Sequence, residues 1–154
     1  MEILGRLNNR RVTRYIISKY VLGNDYTDCY KVMLPKSNGS GNFGETLSSP
    51  LVGSPNVGAT DTFISIGKFK TRFEADSLLK YLKSKFLRAL LGARKATQDN
   101  PRSVWQLIPV QDFTPNSDID WTKSISEIDQ QLYKKYGLSD EEIKFIETKV
   151  QAMD

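Results

Sequence analysis

Histidine is absent from this 154-residue chain, and cysteine occurs once, at Cys29. Imidazole is the usual general base near neutral pH and the commonest metal ligand in proteins. Its absence excludes Ser-His-Asp and Cys-His catalytic groups and every histidine-containing zinc site. A single cysteine excludes an internal disulfide and a cysteine-based zinc site, and is typical of the reducing cytoplasm. Catalysis would have to use carboxylates, Lys, Tyr or Cys, which favours a binding protein over an enzyme.

Long apolar runs are also lacking. No stretch approaches the roughly 20 consecutive apolar residues that a membrane-spanning helix requires. The first residues lack the apolar core of a signal peptide. We therefore expect a cytoplasmic protein that has no membrane partner. The chain length, with 39% hydrophobic and 26% charged residues, is that of one folded domain.

Positive charge is concentrated in the earlier part of the chain. Residues 1–105 hold 17 Lys and Arg against 8 Asp and Glu, whereas residues 106–154 hold 5 against 10. A basic body beside an acidic tail is typical of a protein with a polyanionic partner such as nucleic acid. The alternative interpretation is an uneven surface without a function.

Hydrophobic patterning predicts an α+β fold, with an irregular β-rich part, one long basic helix and a C-terminal helical tail. Strands are predicted over residues 28–35, 62–69 and 103–110. Residues 36–61 are rich in Gly, Ser, Pro and Asn, which predicts one long loop. Residues 6–21 fit either a helix or a strand, because helical spacing competes with β-branched content.

Capping boxes mark where the predicted helices begin. In a capping box a Ser or Thr and a Glu three residues later each satisfy a backbone N–H of the first turn. The pairs are Thr71 with Glu74, Ser124 with Glu127, and Ser139 with Glu142. The first pair opens the long helix, whose apolar stripe is Leu78, Leu82 and Phe86. The others open the helices of the tail, residues 116–154, which we expect to pack on the body, residues 1–115.

A glycine-rich loop has the spacing G-x-G-x-x-G at Gly39, Gly41 and Gly44. A dinucleotide site needs this motif between a strand and a helix, with an acidic residue about 20 positions later. Pro35 precedes the motif and more loop follows it, so a plain flexible loop is the favoured interpretation.

Carboxylates give the only candidates for metal-dependent chemistry. Two Glu-x-Lys tripeptides begin at Glu142 and Glu147, and Asp118 and Asp120 form a pair. Both tripeptides fall in a predicted helix, where residues i and i+2 point in roughly opposite directions. Solvated helix faces are therefore favoured over nuclease ligands, and helix-cap chemistry is favoured for the aspartates.

Clustered basic residues carry the main functional prediction. Phosphate contacts need Lys and Arg, whereas base reading needs Arg, Asn or Gln within reach of the base edges. The long helix presents Lys80, Lys83, Arg88 and Lys95 on roughly one face. Near the start of the chain lie the preferred candidates for base reading, Arg10, Arg11 and Arg14. The full predicted DNA-binding set is Arg10, Arg11, Arg14, Lys31, Lys36, Asn38, Lys68, Lys70, Arg72, Lys80, Lys83 and Arg88.

A series of motifs between residues 30 and 148 resembles a known class of region. The most specific are EA-x-x-L-x-x-Y-L-x-x-K-F, from Glu74 to Phe86, and W-x-x-I-P-x-Q-D-F, from Trp105 to Phe113, followed by QQLYKKYGLS. Together they resemble the C-terminal target-recognition region of bacterial adenine-specific DNA methyltransferases and fused type II restriction–modification enzymes.

The resemblance implies a module that binds double-stranded DNA and selects the sequence to be methylated or cut. Its partners would be DNA and the methyltransferase or nuclease domains of a longer parent enzyme. The Pro-Pro-Tyr methylation motif of such enzymes is missing. We therefore expect no cofactor in this chain, and S-adenosylmethionine and Mg²⁺ would belong to the parent. The alternatives are a metal-dependent endonuclease acting through carboxylates such as Glu45 and Glu147, and an interaction domain whose acidic tail docks on a methyltransferase core.

Overall fold

The computed structural model describes residues 1–21, 26–37, 41–94 and 102–153. Within these ranges two three-stranded sheets and five α-helices form an α+β fold, which confirms the predicted class. The strands are β1 (Glu2–Leu7), β2 (Arg10–Tyr15), β3 (Tyr30–Pro35), β4 (Leu51–Gly53), β5 (Val57–Ala59) and β6 (Phe63–Phe69). The helices are α1 (Arg72–Lys83), α2 (Lys85–Arg94), α3 (Arg102–Trp105), α4 (Ile125–Tyr136) and α5 (Asp140–Lys149). Among the described helices none is long and apolar enough to cross a bilayer.

The ambiguous segment near the start of the chain forms a β-hairpin. β1 and β2 pair antiparallel through a two-residue turn, in which Asn8 and Asn9 have φ values of 49° and 61°. Asparagine tolerates this left-handed conformation, and such turns match the twist of the two strands. β5 adds to the other side of β1 in parallel, so this sheet has the order β2-β1-β5.

The second sheet lies between the first sheet and the helices. Its order is β4-β3-β6, with β3 antiparallel to both neighbours. Side chains alternate along a strand, so Val32 joins the helical core while Met33 packs with Leu4 and Phe63 of the first sheet. The molecule therefore has three layers, and the central sheet buries both of its faces.

The predicted long helix is divided in two, which corrects that part of the sequence analysis. Ser84 has an extended backbone, with φ −61° and ψ 146°, between α1 and α2. The carboxylate of Asp129 accepts hydrogen bonds from the backbone N–H groups of Lys85 and Phe86 at 3.0 and 2.9 Å. The Ser84 hydroxyl also accepts a hydrogen bond from the backbone N–H of Leu87 at 3.1 Å. A second helix thus begins at Lys85, capped both by Ser84 and by Asp129 of α4.

Two other predictions are wrong. Residues 103–110 form no strand, because α3 and a turn occupy this segment. The long loop of residues 36–61 contains β4 and β5. These strands are only three residues long, and each is held by a partner strand distant in the chain, so local composition does not reveal them.

The helical tail shares one core with the body. Ile128, Leu132 and Ile146 are buried in the same cluster as Val32 and Leu82. All three predicted capping boxes are present in the structure. Gly137 ends α4 with φ 63°, the left-handed conformation that glycine adopts readily at the C-terminal end of a helix. Packing of the tail against α1 and α2 therefore holds together the body that supports the hairpin.

Candidate nucleic-acid interface

The hairpin of β1 and β2 carries an exposed basic strand, β2. β2 lies at the edge of its sheet and, within the described residues, pairs only with β1. Every β2 residue is exposed except Val12, which is half-buried. An exposed edge strand of this kind can present arginines to solvent.

The pairing register divides these arginines between two faces. Arg11 pairs with Arg6, and its neighbour Thr13 pairs with the buried Leu4, so Arg11 faces the second sheet. Arg10 and Arg14 point to the opposite side, because side chains alternate along a strand. We call this side the outer face of the ribbon; its members are Ile3, Gly5, Leu7, Arg10, Val12 and Arg14.

Arg11 is attached to the body of the molecule. Its Nη2 donates to the backbone carbonyl of Ser48 at 2.6 Å, and its guanidinium lies 5.7 Å from the ring centroid of Phe63. Desolvation by burial, and then the neighbouring charge of Arg6, lower the pKa of Arg11. Arg10 and Arg14 are exposed as well, but they lie on the outer face of the ribbon.

Exposed tyrosines occur at the end of β2 and in the segments that follow it. Tyr15 is 79% exposed and Tyr20 is 63% exposed. The Nζ atom of Lys19 lies 5.0 Å from the ring centroid of Tyr20, and that of Lys68 lies 4.8 Å from the ring centroid of Tyr26. Aromatic rings interleaved with cations are typical of nucleic-acid surfaces. Sequence analysis missed these tyrosines, although their spacing among Arg and Lys was the available signal.

A second basic surface precedes and opens α1. Lys68, Lys70 and Arg72 are all exposed, as a phosphate-contacting role requires. Nε of Arg72 lies 3.5 Å from a carboxylate oxygen of Asp76, one turn along the helix. An exposed pair of this kind is weak, so the guanidinium stays available to a stronger anion.

Lys31 does not belong to an exposed interface. The residue is 1% exposed, and its ammonium group donates to the backbone carbonyls of Tyr26, Cys29 and Ser54 at 2.8, 3.1 and 2.9 Å. Burial lowers its pKa. Lys31 holds the start of β3 to neighbouring loops, so we remove it from the candidate set. Lys36 keeps 48% of its side chain exposed and pairs with Asp61 at 2.5 Å.

The predicted basic face of the long helix is not a surface. Lys80 donates to the backbone carbonyls of residues 121, 122 and 123, just before α4. Arg88 is 2% exposed, and its Nε and Nη1 donate to the carbonyls of Lys83 and Glu45. The break at Ser84 also places Lys80 and Lys83 in α1 and Arg88 in α2, so these residues do not share the face of one helix. Lys83 is half-buried, and the predicted positions Asn38 and Lys95 lie outside the described residues.

A charged cavity of about 780 Å³ separates the first and last helices. Lys85 lines it and forms an ion pair with Glu147 at 2.5 Å. Asp129 also lines it, and burial raises the pKa of this carboxyl to about 6 against the opposing effect of its two backbone hydrogen bonds. Opposite charges face one another in this cavity, so its polar groups hold α2, α4 and α5 together.

The candidate nuclease carboxylates have structural contacts. Glu147 accepts hydrogen bonds from Lys85 and from the hydroxyl of Tyr133. The other carboxylates each make a local contact: Glu45 with the backbone of Gly41, Asp118 with Lys135, Asp120 with Thr122, and Glu142 with Ser139. Among the described residues no group of three or more Asp, Glu or Cys is placed to hold a metal ion.

The glycine-rich loop packs against the end of α5. Gly44 has φ 74°, and a Cβ atom added there would lie 2.3 Å from the carbonyl oxygen of Lys149. The carbonyl of Gly44 accepts a hydrogen bond from the backbone of Gln151. This glycine therefore allows two backbone segments to approach closely. Gly39 lies outside the described residues.

Comparisons of the chain with family models, curated proteins and solved structures find no match. The resemblance to target-recognition regions consequently stays a prediction. The chemistry of the described surface supplies the independent observations: an arginine-bearing ribbon, adjacent exposed tyrosines, and a basic segment before α1.

Proposed function

We propose that this chain is a DNA-binding target-recognition module of the restriction–modification type, and that the ribbon of β1 and β2 is its main contact with duplex DNA. The observation that carries this proposal is the exposure of Arg10 and Arg14 together on the outer face of an edge ribbon. Their positive charge suits the DNA phosphates, and their exposed position suits contact with the base edges.

The dimensions of DNA support this use of the ribbon. The major groove of B-DNA is about 12 Å wide and admits a two-stranded β-ribbon. Arginine binds the N7 and O6 acceptors of guanine bidentately, which is the commonest specific contact in protein–DNA complexes. A ribbon whose other face packs on the body can enter the groove without unfolding the core.

The segment before α1 supplies a second, sequence-independent contact. Lys68, Lys70 and Arg72 are exposed, and lysine and arginine side chains fix a protein on DNA through phosphates. The module would therefore combine phosphate contacts from this segment with base contacts from the ribbon. In a longer parent enzyme, methylation or cleavage would belong to other domains.

A second candidate function is docking on a protein, and a specific surface favours it. Val110 is 92% exposed and Leu107 is 58% exposed, beside an apolar groove of about 790 Å³ lined by Trp105 and Phe69 among others. Exposed apolar side chains of this size mark protein contacts more often than DNA contacts. A catalytic domain of the parent enzyme is the partner that this reading implies.

The test is a comparison of two charge-reversed variants in a DNA-binding titration. Arg10→Glu/Arg14→Glu alters the ribbon, and Lys134→Glu/Lys144→Glu makes the same change in charge on exposed positions of α4 and α5. At low salt we expect the wild-type chain to bind labelled duplex with a Kd of about 1 μM or above, as for non-specific contacts. The ribbon variant should bind at least about tenfold more weakly than the control variant.

Two results contradict the proposal. The first is absence of wild-type binding at low salt. The second is an equal loss in both variants, which would mean that net charge matters and the ribbon does not. Incubating the same samples with Mg²⁺ tests the nuclease alternative, because cleavage lost on changing Glu147 to Gln would assign catalysis to this chain.

A further inference from the structure

We propose that Arg10 and Arg14 read two guanines within about four base-pair steps of each other, whereas Arg11 positions the ribbon and reads no base. This inference rests on the proposed function, since it assigns roles within the same DNA-binding ribbon. It divides three arginines that sequence analysis treated as equivalent.

The spacing of the two outer arginines matches the spacing of bases. An antiparallel strand rises about 3.4 Å per residue, so the backbone positions of Arg10 and Arg14 lie about 14 Å apart. Stacked bases along one DNA strand also rise about 3.4 Å per step. The path along the groove is longer per step than the rise along the axis. Two arginines four residues apart on one strand face therefore meet bases at most about four steps apart when the strand follows the groove.

Only small side chains lie between Arg10 and Arg14 on the outer face of the ribbon. Val12 lies midway on the same face, paired with Gly5 of β1. A Cβ atom added at Gly5 would lie only 3.1 Å from a methyl group of Thr60. The side chain of Thr60 therefore flanks β1 on this face. The β2 row lies at the open edge of the sheet and is the row that can enter a groove. The small apolar Val12 suits a thymine methyl group between the two guanines.

Arg11 has a different environment from its neighbours. Its guanidinium is held by the carbonyl of Ser48 and the ring of Phe63, two parts of the body distant from the hairpin in sequence. Engaging a base would break both contacts. Arg11 therefore fixes the orientation of the ribbon relative to the second sheet, and its loss should act on all DNA sequences alike.

The experiment selects binding sites from a random duplex library with the full chain, comparing the wild type with single variants. We expect a wild-type preference with two guanine positions at most about four base pairs apart, by the spacing above. Arg10→Ala should abolish one preference and Arg14→Ala the other, with affinity for unselected duplex reduced by less than about threefold. Arg11→Ala should weaken binding to selected and unselected duplexes by the same factor, and Arg11→Lys should restore it.

Circular dichroism of each variant checks that the chain is folded. If Arg10→Ala and Arg14→Ala weaken all duplexes equally and leave the selected sequence unchanged, the two side chains contact phosphates and this inference is wrong, while DNA binding stands. Selection of no sequence by a wild-type chain that binds DNA also overturns it. Failure of the wild type to bind any duplex contradicts the proposed function itself.

Discussion

Two buried charged residues stabilise the body that carries the ribbon. Asp129 caps α2 from a neighbouring helix, and Lys31 ties three loop carbonyls to the start of β3. A buried charge is costly unless hydrogen bonds satisfy it, and both residues meet this condition. Their contacts are structural, so changing them tests the fold separately from DNA binding.

Asp129 should make stability depend on pH between about 4 and 6. Burial raises its pKa from 3.8 to about 6 in the folded protein. In this window the native state holds more protons than the unfolded state, so the free energy of unfolding that Asp129 contributes falls as pH rises. We expect the free energy of unfolding of Asp129→Asn, relative to that of the wild type, to increase as pH rises across that interval. Urea unfolding of both proteins at several pH values measures this, and a pH-independent difference would contradict it.

Lys31 and Lys36 offer a matched pair, since sequence analysis predicted DNA contacts for both. Lys31→Met leaves buried carbonyls without a donor, at a cost of about 1–3 kcal/mol in the free energy of unfolding. Lys36→Met removes only an exposed ion pair, worth less than about 1 kcal/mol. Urea unfolding compares the two. Equal stability of both variants would show that the three contacts of Lys31 contribute little.

At the scale of elements, local signals were predictable and distant ones were not. The capping boxes at Thr71, Ser124 and Ser139 lie within one turn of the helices they open, so the sequence shows them directly. The break at Ser84 has a local part, because the Ser84 hydroxyl accepts a hydrogen bond from the backbone N–H of Leu87 as an N-cap does. The contribution of Asp129, more than 40 positions later, is not visible in the local sequence. The same break explains why Arg88 is buried while the helical wheel placed it on the basic face.

The candidate interface shows the same division. Exposed arginines of β2 and the basic segment before α1 were predicted from composition, because charge clusters are visible in sequence. Arg11 lies on the opposite face of the ribbon from Arg10 and Arg14 because of the strand register. This register could not be predicted, because residues 6–21 fitted either a helix or a strand. Lys31 and Lys80 are lysines that the fold uses internally, a role that residue type does not reveal.

The contact between the glycine-rich loop and the end of α5 can be tested with two glycines of similar conformation. Gly44 and Gly137 both have positive φ, but an added Cβ meets the backbone of Lys149 at Gly44 and open space at Gly137. Gly137→Ala should cost about 1–2 kcal/mol for the left-handed conformation. Gly44→Ala should cost clearly more, because residues 149–151 must also move. Thermal or urea unfolding compares them, and equal losses would exclude a tight contact.

At the scale of the whole molecule, the ribbon and the helices of the acidic tail belong to different layers. The helices and the central sheet share one core, and the first sheet packs on the far side of the central sheet through Leu4, Met33 and Phe63. Basic groups on the ribbon and before α1 can then meet DNA without involving α5. The distribution of basic and acidic side chains over the surface thus depends on the fold as well as on their order in the chain.

The most direct test of DNA binding by this chain is its affinity for a labelled duplex, measured over a range of salt concentrations. Released counterions make log K fall linearly with log salt, by about 0.9 for each phosphate neutralised. We expect a clear negative slope for the wild type, reduced in magnitude by up to about two in Lys70→Ala/Arg72→Ala, whose affinity for all duplexes should fall alike. A wild-type chain that does not bind at the lowest salt, or whose affinity is independent of salt, would contradict the account.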